Sequence, residues 1–177
     1  MNFTTERLTI RSFEEGNLAV LFEIHSNEEK VKYLLNDPWT EENKVEQFKK
    51  GTDNKVFARD SPVNHAVVID DKVIGDLFVI YTSMQETVEI SYTFSKDFGG
   101  EGYAQEAVHG LIATLFDQYQ IHRIVANLNA RNTSSAALCE RLGMRKEAHF
   151  IRDYWSKGEW TDSLIYAMLA SEFDTNI

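Results

Sequence analysis

The stretch that most restricts how this chain can fold is Asp97-Phe98-Gly99-Gly100-Glu101-Gly102-Tyr103-Ala104, a glycine-rich turn between a strand-like run and a long amphipathic one. Upstream, Thr87 to Phe94 sets the apolar residues Val88, Ile90, Tyr92 and Phe94 against Glu89, Ser91 and Thr93, the alternation of a strand. Downstream, Tyr103 to Tyr119 carries Ala107, Leu111, Leu115 and Phe116 at helical spacing, and Ile124 to Leu128 follows as a short buried strand. Strand, turn, helix and strand in that order predict a parallel crossover. Glycine lets the backbone turn sharply and approach a ligand, and the first turn of a helix offers unpaired amides and the positive end of its dipole. Such a site suits a pyrophosphate, although a tight turn needs glycine with or without a ligand. The spacing matches neither GxxxxGK[ST] nor a GxGxxG in an early βαβ unit with a later ribose-binding acid.

The remaining pattern predicts one domain over 1–177, since 177 residues with 43% hydrophobic content supply one full core. A first strand is expected over Thr5 to Arg11, a helix from about Asn17 to Ser26 and a short helical continuation from Val31 to Leu35. Asn36-Asp37-Pro38-Trp39 breaks the pattern, and Thr40-Glu41-Glu42 starts a second helix running to Lys50. His65 to Ile69, Lys72 to Ile80 and Thr87 to Phe94 predict a three-strand antiparallel meander. A helix from Thr133 to Leu142, stopped by Gly143, precedes two strands near Arg145 to Arg152 and Trp160 to Leu169 that turn at Lys157-Gly158.

Composition excludes several classes of function. The net charge of -10 disfavours nucleic-acid binding, which needs a basic face, and favours cationic partners such as amines. Cys139 is the single cysteine, and five histidines fall in no HxxxH or CxxC spacing, so no metal is expected. No apolar run approaches the roughly 20 residues that span a bilayer, which predicts no membrane partner and a cytoplasmic location.

Beyond these features, FGGEGYAQEAV resembles the pyrophosphate loop of the GNAT N-acetyltransferases, written Q/R-x-x-G-x-G/A, at Gly99, Gly102 and Ala104. Asn132-Thr133-Ser134-Ser135 is similar to the N-x-x-S/A that opens the next helix of that family, and Gly143-Met144 to the G-F at its end. The opening TERLTIR and the closing Gly158, Asp162 and Tyr166 resemble the RimJ/RimL-like branch, whose members acetylate ribosomal-protein N-termini. The resemblance implies a mixed α/β sheet of the α+β kind, splayed between its fourth and fifth strands, with acetyl-CoA in the gap. Backbone groups of Tyr92 and Phe94 would meet the pantetheine arm, the turn from Gly99 and Gly100 through Glu101, Gly102 and Tyr103 to Ala104 would hold the pyrophosphate, and Asn132 and Ser135 would line the far side. Two positions depart from the family: Gly99 stands where glutamine or arginine is usual, and Glu101 where a basic residue is common.

Acyl transfer to an amine needs a neutral amine, a stabilised oxyanion and a proton for the leaving thiolate. An α-amine with pKa of roughly 7.7 to 8.0 costs about 1 kcal/mol to neutralise at pH 7, whereas a lysine near about 10.4 costs about 4.6 kcal/mol. Glu89, on the polar face of its strand, is the candidate base; an ordinary solvated glutamate is the competing reading. Cys139 occupies the place of a tyrosine that many GNAT enzymes use as proton donor, so the donor role passes to Ser135, which a helix cap would explain equally well. Tyr33, Trp39, Tyr154 and Trp155 are the aromatics placed around an acceptor cleft. Three functions compete: acetylation of a protein N-terminus, acetylation of a small cationic amine such as a polyamine, aminoglycoside or amino acid, and acyl-CoA sensing without turnover. A homodimer is common among the family, and the sequence decides nothing about it.

Overall fold

The computed structural model describes residues 1–28, 31–34 and 37–174. Its elements in chain order are β1 (Phe3–Thr4), β2 (Thr9–Ser12), α1 (Leu18–Ser26), α2 (Lys44–Thr52), β3 (Val63–Ile69), β4 (Lys72–Tyr81), β5 (Thr87–Phe94), α3 (Tyr103–Tyr119), β6 (Arg123–Asn129), α4 (Thr133–Arg141), β7 (Arg145–Ser156) and β8 (Glu159–Leu169). They form one eight-stranded sheet in the order β1-β2-β3-β4-β5-β6-β8-β7. Every neighbouring pair among the described residues is antiparallel except β5 and β6, which the α3 crossover joins in parallel as the sequence pattern predicts.

The β5–β6 pair is short. Thr87, Val88 and Glu89 pair with Arg123, Ile124 and Val125, and there the two strands part. From Ile90 to Phe94, β5 stays on β4, while β6 continues on β8 as far as Asn129. The expected splay is therefore present; it lies one strand later in the count because Phe3–Thr4 is a strand of its own. Two backbone edges inside the sheet are left facing a gap, and backbone polar groups must be satisfied by something.

The sheet is covered on both faces. The α3 residues Ala107, Val108, Leu111, Ile112 and Leu115 pack with Val88, Ile90, Ile124 and Ala126, all at most 1% exposed. Full burial of each large side chain contributes roughly 1.5–3 kcal/mol. Across the sheet, Leu21 of α1 and Phe48 of α2 pack on Ala66, Val68 and Val73. Glu89, Ser91 and Thr93 alternate onto this second face.

Three expected elements come out differently. The first strand is broken into β1 and β2, with Phe3 opposite Ile10, because Thr5 and Arg7 turn away to bind Glu106 of α3. Residues 31–34 form turns rather than a helical continuation, because the carbonyls of Val31 and Lys32 accept from the Lys157 ammonium; Leu35, the end of that expected stretch, lies outside the described residues. The second helix starts at Lys44, later than Thr40, because Thr40 and Asn43 hold a turn reciprocally: the Thr40 amide donates to Asn43 Oδ1 at 2.8 Å and the Asn43 amide to Thr40 Oγ1 at 3.3 Å.

Candidate active site

The glycine turn takes the shape its sequence suggests. A short 3₁₀ turn over Lys96–Phe98 leads into Gly99, and Gly100 and Gly102 have φ of 85° and 81°. An L-residue with a side chain pays roughly 1–2 kcal/mol in that region. Gly102 is the N-cap of α3 and has no side chain with which to cap it, so the amides of the first turn lack an intrahelical partner.

Arg7 lies beneath this turn. Its Nε donates to Glu106 Oε2 and its backbone amide to Glu106 Oε1, both at 2.7 Å, and Nη1 donates to the Glu101 carbonyl at 3.0 Å. The guanidinium stacks 4.5 Å from the centre of the Tyr103 ring. Burial alone would raise the Glu106 carboxyl, but hydrogen bonds from Thr5 and Arg7 outweigh it and hold the group below the ordinary range.

A cavity of about 630 Å³ occupies the gap between the diverging strands. Tyr92, Thr93 and Phe94 of β5 form one wall, Asn132, Ser135 and Leu138 another, and Ala104 brings the glycine turn to it. Lys32, Lys96 and Arg141 also line it, and among the described residues no carboxylate does. In a chain with a net charge of -10, a cavity whose charged lining among the described residues is cationic suits an anion. The Glu101 side chain, placed near this anion site by the sequence, is exposed and is absent from the lining.

Helix α4 is held across the gap. Asn132 Oδ1 accepts from the Ser135 amide at 3.2 Å, so Asn132 is the cap of this helix. The Tyr92 hydroxyl donates to the Ser135 carbonyl at 3.3 Å and lies 3.5 Å from Cys139 Sγ. Burial raises both the Tyr92 phenol and the Cys139 thiol, which keeps the pair neutral. Cys139 is fully buried, which suits a small apolar packing role.

Glu89 stands on the last paired rung, opposite Val125, where β5 and β6 begin to part. Burial raises its carboxyl above the ordinary value, making it a better base near neutrality. Of the four aromatics, Tyr33 lines the cavity. Trp39 instead stacks on His25, ring centres 4.9 Å apart, and His25 Nε2 lies 3.1 Å from Asp76 Oδ1. Trp155 lines a separate cavity of about 690 Å³ with Trp160 and the Arg131–Glu159 pair, and Tyr154 is half-buried on β7. The structure thus gathers Tyr33, Tyr92, Phe94, Ala104, Asn132 and Ser135 in one cavity, and leaves Glu89, the turn from Gly99 to Tyr103, Trp39, Tyr154 and Trp155 outside its lining. Sequence reasoning missed Arg7, Lys96 and Arg141; Arg7 meets Glu106 across 99 positions, a separation with no local signature.

Comparison with known proteins follows the same lines. The sequence pattern of the Acetyltransferase (GNAT) domain matches residues 7–145. The N-acetyltransferase YnaD of Bacillus subtilis is 31% identical over 180 residues, covering 98% of this chain and 100% of that protein. The [ribosomal protein uS5]-alanine N-acetyltransferase of Escherichia coli is 31% identical over 85 residues, covering 48% of this chain and 43% of that protein. Among solved structures, a GNAT-family acetyltransferase from Bacillus anthracis superposes with a TM-score of 0.86 at 29% identity, covering 97% of this chain and all of that one (100%). Spermidine N-acetyltransferase from Vibrio cholerae, in complex with CoA and spermine, shares the fold with a TM-score of 0.80 at 19% identity, covering 94% and 97% of the two chains.

Proposed function

The chain belongs to the GNAT family of acetyl-CoA-dependent N-acetyltransferases, and from that premise we propose that its acceptor is a protein N-terminal α-amine, as in the RimJ/RimL-like branch. The observation that carries this reading is the lining of the β5–β6 cavity: three cations, Lys32, Lys96 and Arg141, and no carboxylate among the described residues. Such a lining suits the phosphates of acetyl-CoA and opposes a polycation entering beside them, whereas a peptide terminus brings a single charge that is lost before reaction. The cofactor also fits the backbone: β5 from Ile90 to Phe94 presents an unpaired edge to the gap, and the uncapped amides of α3 lie at the glycine turn.

When bound, acetyl-CoA supplies the activated acetyl thioester. In this reading Tyr92 and Phe94 offer backbone groups to the pantetheine arm, and the turn from Gly99 to Ala104 holds the pyrophosphate. Glu89 takes the proton of the incoming amine, a task its raised pKa favours and an α-amine makes easier than a lysine. The backbone edge of β5 steadies the developing oxyanion. Ser135, at the start of α4 in the cavity wall, returns a proton to the leaving sulfur, while Asn132 fixes the Ser135 backbone. Tyr33 flanks the acceptor.

A panel of acceptors tests the assignment: peptides with free α-amines, the same peptides with blocked N-termini but one lysine, and spermidine, with acetylated product read by mass spectrometry. The expected result is at least a tenfold preference in kcat/KM for free α-amines. Preference for spermidine or for lysine ε-amines would overturn it.

A further inference from the structure

The glycine turn lacks the basic or amide side chain usual at its first position, where Gly99 stands, and α3 carries the carboxylate of Glu106 in its first turn. Both features oppose anion binding: one removes a contact, and the other sets a negative charge where the helix dipole would otherwise welcome a phosphate. We propose that Arg7, from the connection between β1 and β2, is a positioning residue that restores the site by aiming the Gly102 amide at the pyrophosphate and cancelling the charge of Glu106. The proposal rests on the assignment of this turn as the pyrophosphate site.

The geometry supports both parts. A trans peptide points its carbonyl and its amide in opposite directions. With the Glu101 carbonyl held by Arg7 Nη1 at 3.0 Å, the Gly102 N–H of the same peptide is turned to the opposite side of the turn, away from the guanidinium. Gly102 has φ of 81°, a conformation that glycine adopts at little cost, and the bond from Arg7 holds the preceding peptide in this orientation. Nη2 lies 3.6 Å from the place that a Cβ on residue 102 would occupy, which sets the positive charge directly under the turn. At the same time two hydrogen bonds, from the backbone amide and Nε of Arg7, tie up the Glu106 carboxylate. A lysine would keep the charge but lose the planar fork that serves Glu106 and Glu101 together.

The test compares CoA with pantetheine, which lacks the pyrophosphate, by calorimetry on the native chain and on Arg7→Lys, Arg7→Ala and Gly102→Trp. Loss of charge-assisted hydrogen bonds predicts CoA binding weakened roughly 10- to 100-fold in Arg7→Ala and about 5-fold or more in Arg7→Lys, with pantetheine binding unchanged within about twofold. Should Arg7→Ala fail to fold, Arg7→Lys decides alone, its melting temperature serving as the control for structure. Equal losses for CoA and pantetheine would make Arg7 a purely structural residue and overturn the proposal. CoA binding unaffected in the Arg7 variants but lost in Gly102→Trp would also overturn it while leaving the pyrophosphate assignment standing. Native affinity in Gly102→Trp would remove the assignment and the proposal together.

Discussion

The proposed donor end of the cleft and the proposed acceptor end are built on different principles. At the donor end the parts are mostly backbone: the open edge of β5, the glycine turn and the first turn of α3, which follow one another within residues 90–106. At the proposed acceptor end the parts are side chains brought from distant segments, with Tyr33 on the α1–α2 connection and the Lys157 ammonium of the β7–β8 turn docked on the carbonyls beside it, 126 positions from Val31. Backbone sites survive sequence change because glycine spacing and helix polarity alone define them. Side-chain sites do not, so the donor is common to the family while the acceptor varies over the same fold.

Four substitutions would break or sharpen this contrast. The largest effect is expected at the junction of the two ends, where Glu89→Gln should lower kcat by roughly 10²- to 10⁴-fold without changing CoA affinity. Activity of the native enzyme should rise with pH through the raised Glu89 pKa, and the variant should lose that limb of the profile. A donor-end change that acts through backbone comes next. A Cβ on Gly75 would lie 2.5 Å from the Thr93 carbonyl and 2.7 Å from Phe94 Cδ1, so Gly75→Ala should displace the cavity wall, destabilise the fold by roughly 1–3 kcal/mol in urea unfolding and raise the KM for acetyl-CoA. At the acceptor end, Tyr33→Ala should raise the acceptor KM about 5- to 10-fold and leave CoA binding intact by calorimetry.

The smallest effect concerns the anchor of the α1–α2 connection, where Trp39 stacks on His25. Although desolvation opposes it, the Asp76 carboxylate raises the His25 pKa above its ordinary value. A group whose folded pKa is raised contributes stability that is full below the unfolded value, about 6.5, and is lost as pH rises through the folded one. Asp76→Asn should therefore lower the melting temperature more at about pH 6 than at about pH 9.

What the sequence made legible follows the same division. β5 and α3 are found at Thr87–Phe94 and Tyr103–Tyr119, the limits that alternation, helical spacing and glycine punctuation set for them. These signals are local, and so is the glycine turn between them. Two of the three errors in the elements fall where a distant partner overrides local preference: Lys157 takes the carbonyls that a helix through Val31 and Lys32 would have used, and Glu106 draws Thr5 and Arg7 out of the first strand. Trp39 was an open aromatic in the sequence, and only the fold reveals that His25 occupies its face. The cationic lining of the cavity was hidden for a related reason, since Lys32, Lys96 and Arg141 converge from three segments of a chain that is acidic overall.

The central claim, that acetyl-CoA lies in the β5–β6 gap with its pyrophosphate at the start of α3, is tested most directly by titrating CoA into ¹⁵N-labelled protein and following the backbone amides. The account predicts that the largest shifts fall at Gly100, Gly102, Tyr103 and Ala104 and along β5 from Ile90 to Phe94. Shifts confined to the cavity around Trp155 and Trp160, with the glycine turn unmoved, would contradict it.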